Sequence, residues 1–147
     1  MSKTNKLKLQ AINKISNNIQ KHIEQTRLIN FNFKYYTHGS DYGESFEDWE
    51  ESGLLVDYNN KLTQFSTNTI EELRNSKILE LYDSFPKGSK FKPPKAVKDL
   101  NICWARLRLT GKRRICGFFL KGDQAYANTM FIVFLDKDHC FAPCDTN

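Results

Sequence analysis

The sequence predicts an α+β fold: N-terminal helices packed on one face of a small antiparallel sheet that ends in a three-strand C-terminal meander. Three observations carry that reading. Apolar residues in the first half recur at steps of three and four, the spacing of one helix face. Three runs near the C-terminus, Ile102–Leu109, Arg114–Leu120 and Thr129–Leu135, are strand-like and separated by turn residues. Between the two halves, residues 85–95 hold three prolines among four lysines and cannot be helical. The 147 residues suffice for one domain with a core and are too few for two ordinary ones. We read the chain as a basic amphipathic helix (1–28), a strand plus an acidic helical segment (29–85), a basic connector (86–98) and a basic meander (99–141).

Ala11, Ile12, Ile15, Ile19 and Ile23 form an apolar stripe, so a helix is expected over roughly 5–28 with its lysines on the wet face. Phe31 to Tyr35 alternates as a short strand does, and Gly39 to Gly43 is a turn cluster. Ser45 followed by Asp48 is a helix N-cap pattern, with Phe46, Trp49 and Leu54 as contacts and Gly53 as the breaker. Leu55, Tyr58, Leu62 and Phe65 make the next stripe. Thr69-x-x-Glu72 is a capping box opening a third helical piece through Ile70, Leu73, Ile78 and Leu81. Thr110-Gly111-Lys112 and Gly122-Asp123 supply the turns of the meander.

The net charge of +5 conceals a pattern. Residues 1–23 carry five lysines and no acid, residues 24–85 sum to −7, and residues 86–147 sum to +7. An acidic middle between two basic ends points to surface patches and, at the basic ends, to a polyanion partner. No run reaches the roughly 20 apolar residues of a membrane span, and the basic N-terminus lacks the apolar core of a secretory signal. A cytoplasmic protein without a membrane partner is expected. Cys103, Cys116, Cys140 and Cys144 match no standard zinc spacing, so they read as free thiols, with a site at His139, Cys140 and Cys144 as the weaker option. No metal or cofactor is assigned. The chain also lacks a Walker loop, H-E-x-x-H and G-x-S-x-G, which argues against nucleotide-driven, zinc-protease and serine-hydrolase chemistry.

The hairpin around Gly111 carries the functional argument. With a two-residue loop at Gly111-Lys112, Thr110 faces Arg113 and one face is nearly all apolar. The other then shows Trp104, Arg106, Arg108 and Arg113 beside Ile115, Gly117 and Phe119. Guanidinium groups suit phosphates, aromatic rings stack on unpaired bases, and Gly117 permits a close backbone approach. A three-residue loop slips the register by one and exchanges the faces of one strand. Alternating arginines also suit a merely solvated sheet face. At the end of the last strand, His139 follows Asp136 and Asp138, a setting in which a histidine can titrate near neutrality and move a proton.

The order of these runs, Trp104 to Arg108, Arg113 to Phe118, then Phe131 to Asp136 with His139, resembles the RelE/ParE-like superfamily, the small ribonuclease toxins of bacterial toxin–antitoxin systems. The resemblance spans residues 31–141 in element order and 95–140 in residue pattern. It implies a metal-independent endoribonuclease that cleaves mRNA, including ribosome-bound mRNA, by attack of the ribose 2′-hydroxyl on the adjacent phosphate. Arg106, Arg108 and Arg113 would hold phosphate, and Asp136 or His139 would carry the proton. Trp104, Lys112, Arg114, Phe119 and Lys121 would extend the RNA contact. A neutralising antitoxin protein is the implied partner. The chain departs from the pattern in its length, its lysine-bearing N-terminal helix and its acidic middle. The competing reading is a non-catalytic protein-binding module, an inhibitor, immunity or phage accessory protein, docking through Phe46, Trp49 and the carboxylates around them.

Overall fold

The computed structural model describes residues 2–143, without the side chains of 20–26. Helix α1 covers Lys3–Thr26 and leads into a short strand β1, Asn30–Asn32. Three helices follow: α2, Phe46–Glu51; α3, Leu55–Phe65; and α4, Ile70–Asn75. The chain then forms β2 (Leu79–Tyr82), β3 (Ile102–Arg108), β4 (Arg114–Leu120) and β5 (Thr129–Asp136). These make a five-stranded sheet in the order β1-β5-β4-β3-β2, with β1 parallel to β5 and every other pair antiparallel. The α+β class and the C-terminal meander are as expected, and the sheet is mixed and wider than the three-strand core.

Local chemistry explains where the helices start. Ser45 Oγ accepts from Asp48 N while the Asp48 carboxylate accepts from Ser45 N, and Thr69 and Glu72 repeat this reciprocal box at α4. The ends of α2 and α4 are also alike. Leu54 N donates to Trp49 O and Gly53 N to Glu50 O; in α4, Ile78 N donates to Leu73 O and Lys77 N to Arg74 O. Both are Schellman closures, which need a left-handed residue after the cap. Gly53 supplies it at φ +72° and Lys77 at φ +64°. That closure corrects the expectation that the third helical piece runs on through Ile78 and Leu81: it stops at Asn75, and residues 79–82 are an edge strand.

Each face of the sheet is covered. On one side Ala105, Leu107, Ile115, Ile132 and Leu135 pack with Trp49, Tyr58, Phe65 and Leu73 of α2–α4. On the other, Trp104, Phe118, Phe131 and Phe134 are roofed by Phe91 and Val97 of the connector and by Phe141. Trp104 stacks with Phe134 at 6.1 Å and meets Phe85 edge-on at 4.9 Å. Helix α1 is the exception: residues 2–19 are all exposed, so Ala11, Ile12, Ile15 and Ile19 of the stripe expected to pack on the sheet do not, while the side chain of Ile23 lies outside the described ones.

Candidate nucleic-acid interface

The β3–β4 turn decides which arginines share a face. Arg108 pairs with Arg114, Leu107 with Ile115, Arg106 with Cys116 and Trp104 with Phe118. Leu109 N donates to Arg113 O and Arg113 N to Thr110 O, so the loop is the three residues Thr110-Gly111-Lys112. Gly111 takes φ +65°, the left-handed conformation such loops require. The two-residue loop is therefore corrected, and with it the faces: Trp104, Arg106 and Arg108 lie with Arg114, Cys116 and Phe118. Arg113 and Phe119 go to the helix side. Cys116 faces Arg106 rather than Leu107.

The expected open basic face is corrected too, because it is roofed. Arg106 is 1% exposed, Arg114 4%, Trp104 5% and Phe119 8%. Arg106 Nη1 donates to the carbonyls of Ile78 (3.1 Å) and Lys77 (3.5 Å), tying the end of α4 to the sheet. Arg114 Nη1 donates to Gly111 O and Arg113 O, both at 2.9 Å, and so holds the turn. Burial, then the neighbouring charges of Arg106 and Arg108, lower the pKa of Arg114 from the usual arginine value. Gly117 also has a different use. A Cβ there would stand 1.9 Å from Phe131 O, so the close approach is made by β5 at a bulge between Cys116 and Gly117.

Asp136 lies opposite Arg114 and is fully buried. Its Oδ1 accepts from Cys140 N (2.8 Å) and its Oδ2 from Phe141 N (2.9 Å), which folds segment 137–141 back onto the sheet. Desolvation raises its pKa; the two backbone donors and Arg114 oppose that rise. Both carboxylate oxygens are thus engaged in structure. His139, on the same segment, is half-buried and left-handed at φ +59°.

Glu44 is a residue the sequence reading missed. Its Oε1 accepts from Trp49 Nε1 at 3.1 Å and from the backbone N–H of Lys137, linking α2 to the end of β5. Burial raises its pKa, against those two hydrogen bonds. Trp49 itself is fully buried in the helix-side core, which corrects its assignment to a docking patch. Phe46 is half-buried, packed by Tyr36 at 4.9 Å and Tyr58 at 5.5 Å.

A basic rim is left at the turn end of the sheet. Arg108 and Lys112 are exposed, and Arg113 and Lys137 are half-buried. Gly111, Lys112, Arg113, Lys137 and Asp138 enclose an open hollow of about 310 Å³. Lys137 was not among the residues singled out from sequence. Lys121 is exposed past the other end of β4 and does not join this rim. Cys103, Cys116 and Cys140 are free thiols; Cys144 lies outside the described residues. Among the described residues no group of three or more His, Cys, Asp or Glu could hold a metal ion.

Compared with protein-family models, curated proteins and solved structures, the chain matches none.

Proposed function

We propose that the protein binds RNA as toxin-type ribonucleases do, through the basic rim at its β3–β4 turn rather than through the sheet face. The observation that carries the reading is the convergence of Lys112, Arg113 and Lys137, with Asp138 as the one acid, on one open hollow, next to the exposed Arg108 at the end of β3. Cations gathered on one surface neutralise phosphates, and the release of counterions makes such binding fall with salt. Two buried arginines behind the rim add to its positive field. Cleavage would ask Arg108 and Arg113 to hold the scissile phosphate and stabilise its developing charge. His139 would carry the proton, and Asp136 would position the segment that bears it.

The test is a titration with labelled single-stranded RNA at several salt concentrations. Arg108→Ala/Arg113→Ala/Lys137→Ala is expected to weaken binding at least tenfold and to flatten the salt dependence by about 0.7 per lost phosphate contact. Binding that ignores salt, or that survives the triple substitution, overturns the reading. Incubation with RNA in the presence of a chelator tests the cleavage step. Products ending in 2′,3′-cyclic phosphate, lost in His139→Ala, support it; intact RNA bound by the wild type limits the protein to binding.

A further inference from the structure

We propose that α1 is an interfacial helix that lies on anionic lipid bilayers, with its isoleucine stripe in the acyl boundary and its lysines toward the headgroups. Lys3–Thr26 is a helix of 24 residues, about 36 Å long. Leu7 (59%), Leu9 (48%), Ile12 (59%), Ile15 (59%) and Ile19 (55%) are all exposed, and neither hydrophobic cluster contains any of the helix residues whose side chains are described, 3–19. Among the other described large apolar residues only Val56 is exposed to this degree; Phe33 (46%) and Tyr126 (42%) each meet another ring, Phe46 and Phe131. At 100° per residue, Ile12, Ile15 and Ile19 fall within one 60° arc, with Leu9 60° beyond it and Leu7 beside Lys14 on the other side. Lys3, Lys6 and Lys14 fall on the opposite side, while Lys8 stands within the apolar arc, where its stem can lie along the stripe and its ammonium reach outward.

The charge selects the occupant. Residues 1–23 hold five lysines and no acid. A second copy of this helix would bring like charge to like charge, with Lys8 and Asn5 in the seam and Glu24 as the helix's one acid against five lysines. An anionic bilayer meets both demands at once, because it covers the stripe and attracts the cations. Each lysine near such a surface contributes about fivefold in affinity. No helix of the described residues is long and apolar enough to cross a membrane. Among the described residues a helix can therefore meet a bilayer only by lying in the plane of the interface.

Flotation of the full-length protein with vesicles tests this. Binding to phosphatidylcholine vesicles containing one third phosphatidylglycerol is expected to exceed binding to pure phosphatidylcholine at least tenfold. Ile15→Asp/Ile19→Asp should abolish it with the melting temperature unchanged, since those side chains are exposed. Lys3→Gln/Lys6→Gln/Lys14→Gln should lower it at least tenfold. Equal binding to both vesicle types overturns the proposal. So does a wild-type dimer that Ile15→Asp/Ile19→Asp makes monomeric while no vesicle is bound, which would make the stripe a self-interface. RNA binding lost in the lysine variant with vesicle binding intact would assign those lysines to RNA and likewise overturn it. The RNA-binding variant Arg108→Ala/Arg113→Ala/Lys137→Ala should float like the wild type, so this result and the RNA titration can fail separately.

Discussion

Arg106 and Arg108 stand two residues apart on the same face of the same strand, yet Arg106 is 1% exposed and Arg108 is open to solvent. Alternation along a strand decides which face a side chain takes. It does not say how far the cover on that face extends. Here the connector and the segment after β5 roof the middle of the sheet, over Trp104 and Phe134, and stop short of the turn. Arg106 falls beneath the roof and becomes a brace for the end of α4. Arg108 falls beyond it and can meet a ligand. The facing strand divides differently: Arg114, opposite Arg108, is buried and held by its own hydrogen bonds to the turn, and Arg113, one residue earlier, reaches the rim from the helix side.

The most severe way to test that split is to remove one member of each class. Arg114→Ala removes both hydrogen bonds that hold the turn, to Gly111 O and Arg113 O, together with the buried cation opposite Asp136, and a loss of about 3 kcal/mol or more is expected. Arg106→Ala removes its hydrogen bonds to the Ile78 and Lys77 carbonyls, although Ile78 O keeps the Arg108 N–H, and opens a cavity; a loss of about 3 kcal/mol is expected. Arg108→Ala should stay within about 0.5 kcal/mol of wild type, as exposed sites do. Urea unfolding measures all three. Comparable losses at 106 and 108 would abolish the distinction.

Next in size is Gly117→Ala. The added methyl would collide with Phe131 O, and backbone cannot yield as a side-chain tip can. An overpacking loss of about 3 kcal/mol is expected, with RNA binding by the folded fraction unchanged. If Gly117 instead served ligand approach, the variant would keep its stability and lose its affinity.

Several parts of this arrangement were legible beforehand. The capping boxes at Ser45 and Thr69 are local patterns with a local mechanism, and both form. The three meander strands were likewise visible. β2 was not, because Ile78 and Leu81 continue the spacing of Ile70 and Leu73, and the residue that breaks the helix is Lys77 rather than glycine. The register turned on a single loop residue, which Thr110-Gly111-Lys112 does not settle from composition. Burial of Arg106 and Trp49 was invisible for another reason: it depends on segments distant in sequence. Lys137 reaches the rim, and Glu44 accepts the Lys137 N–H, through the same kind of long-range placement.

The buried Asp136 and half-buried Glu44 respond to pH in the opposite sense from the exposed caps. The pKa values of Asp136 and Glu44 are raised by burial, so their contribution to stability is complete below the ordinary carboxylate range, about 4, and is lost as pH rises through the folded-state values. Those of Asp48 and Glu72 are lowered by hydrogen bonds to Ser45 and Thr69, so their contribution is present above that range and lost as pH falls through it. Maximal stability is therefore expected on the acidic side of neutrality. Glu44→Gln keeps an acceptor for Trp49 Nε1 and Lys137 N and removes the titration, so it should flatten the fall in melting temperature toward pH 7. An unchanged slope would show that Glu44 pays no desolvation penalty.

The smallest expected effect comes from the site that holds the brace. Arg106 donates to the carbonyls of Lys77 and Ile78, whose positions are set by the left-handed Lys77 at φ +64°. α2 closes in the same way with Gly53 at φ +72°. A non-glycine residue in that region carries about 1–2 kcal/mol of strain. Lys77→Gly removes it and adds freedom to the unfolded chain, for a net gain of about 0.5–1 kcal/mol. If the ammonium of Lys77 were instead part of the RNA-binding rim, the variant would gain stability and lose affinity together. If the lysine serves only to close α4, the Arg108 rim should bind RNA as before, because the substitution leaves the carbonyls that receive Arg106 where they are.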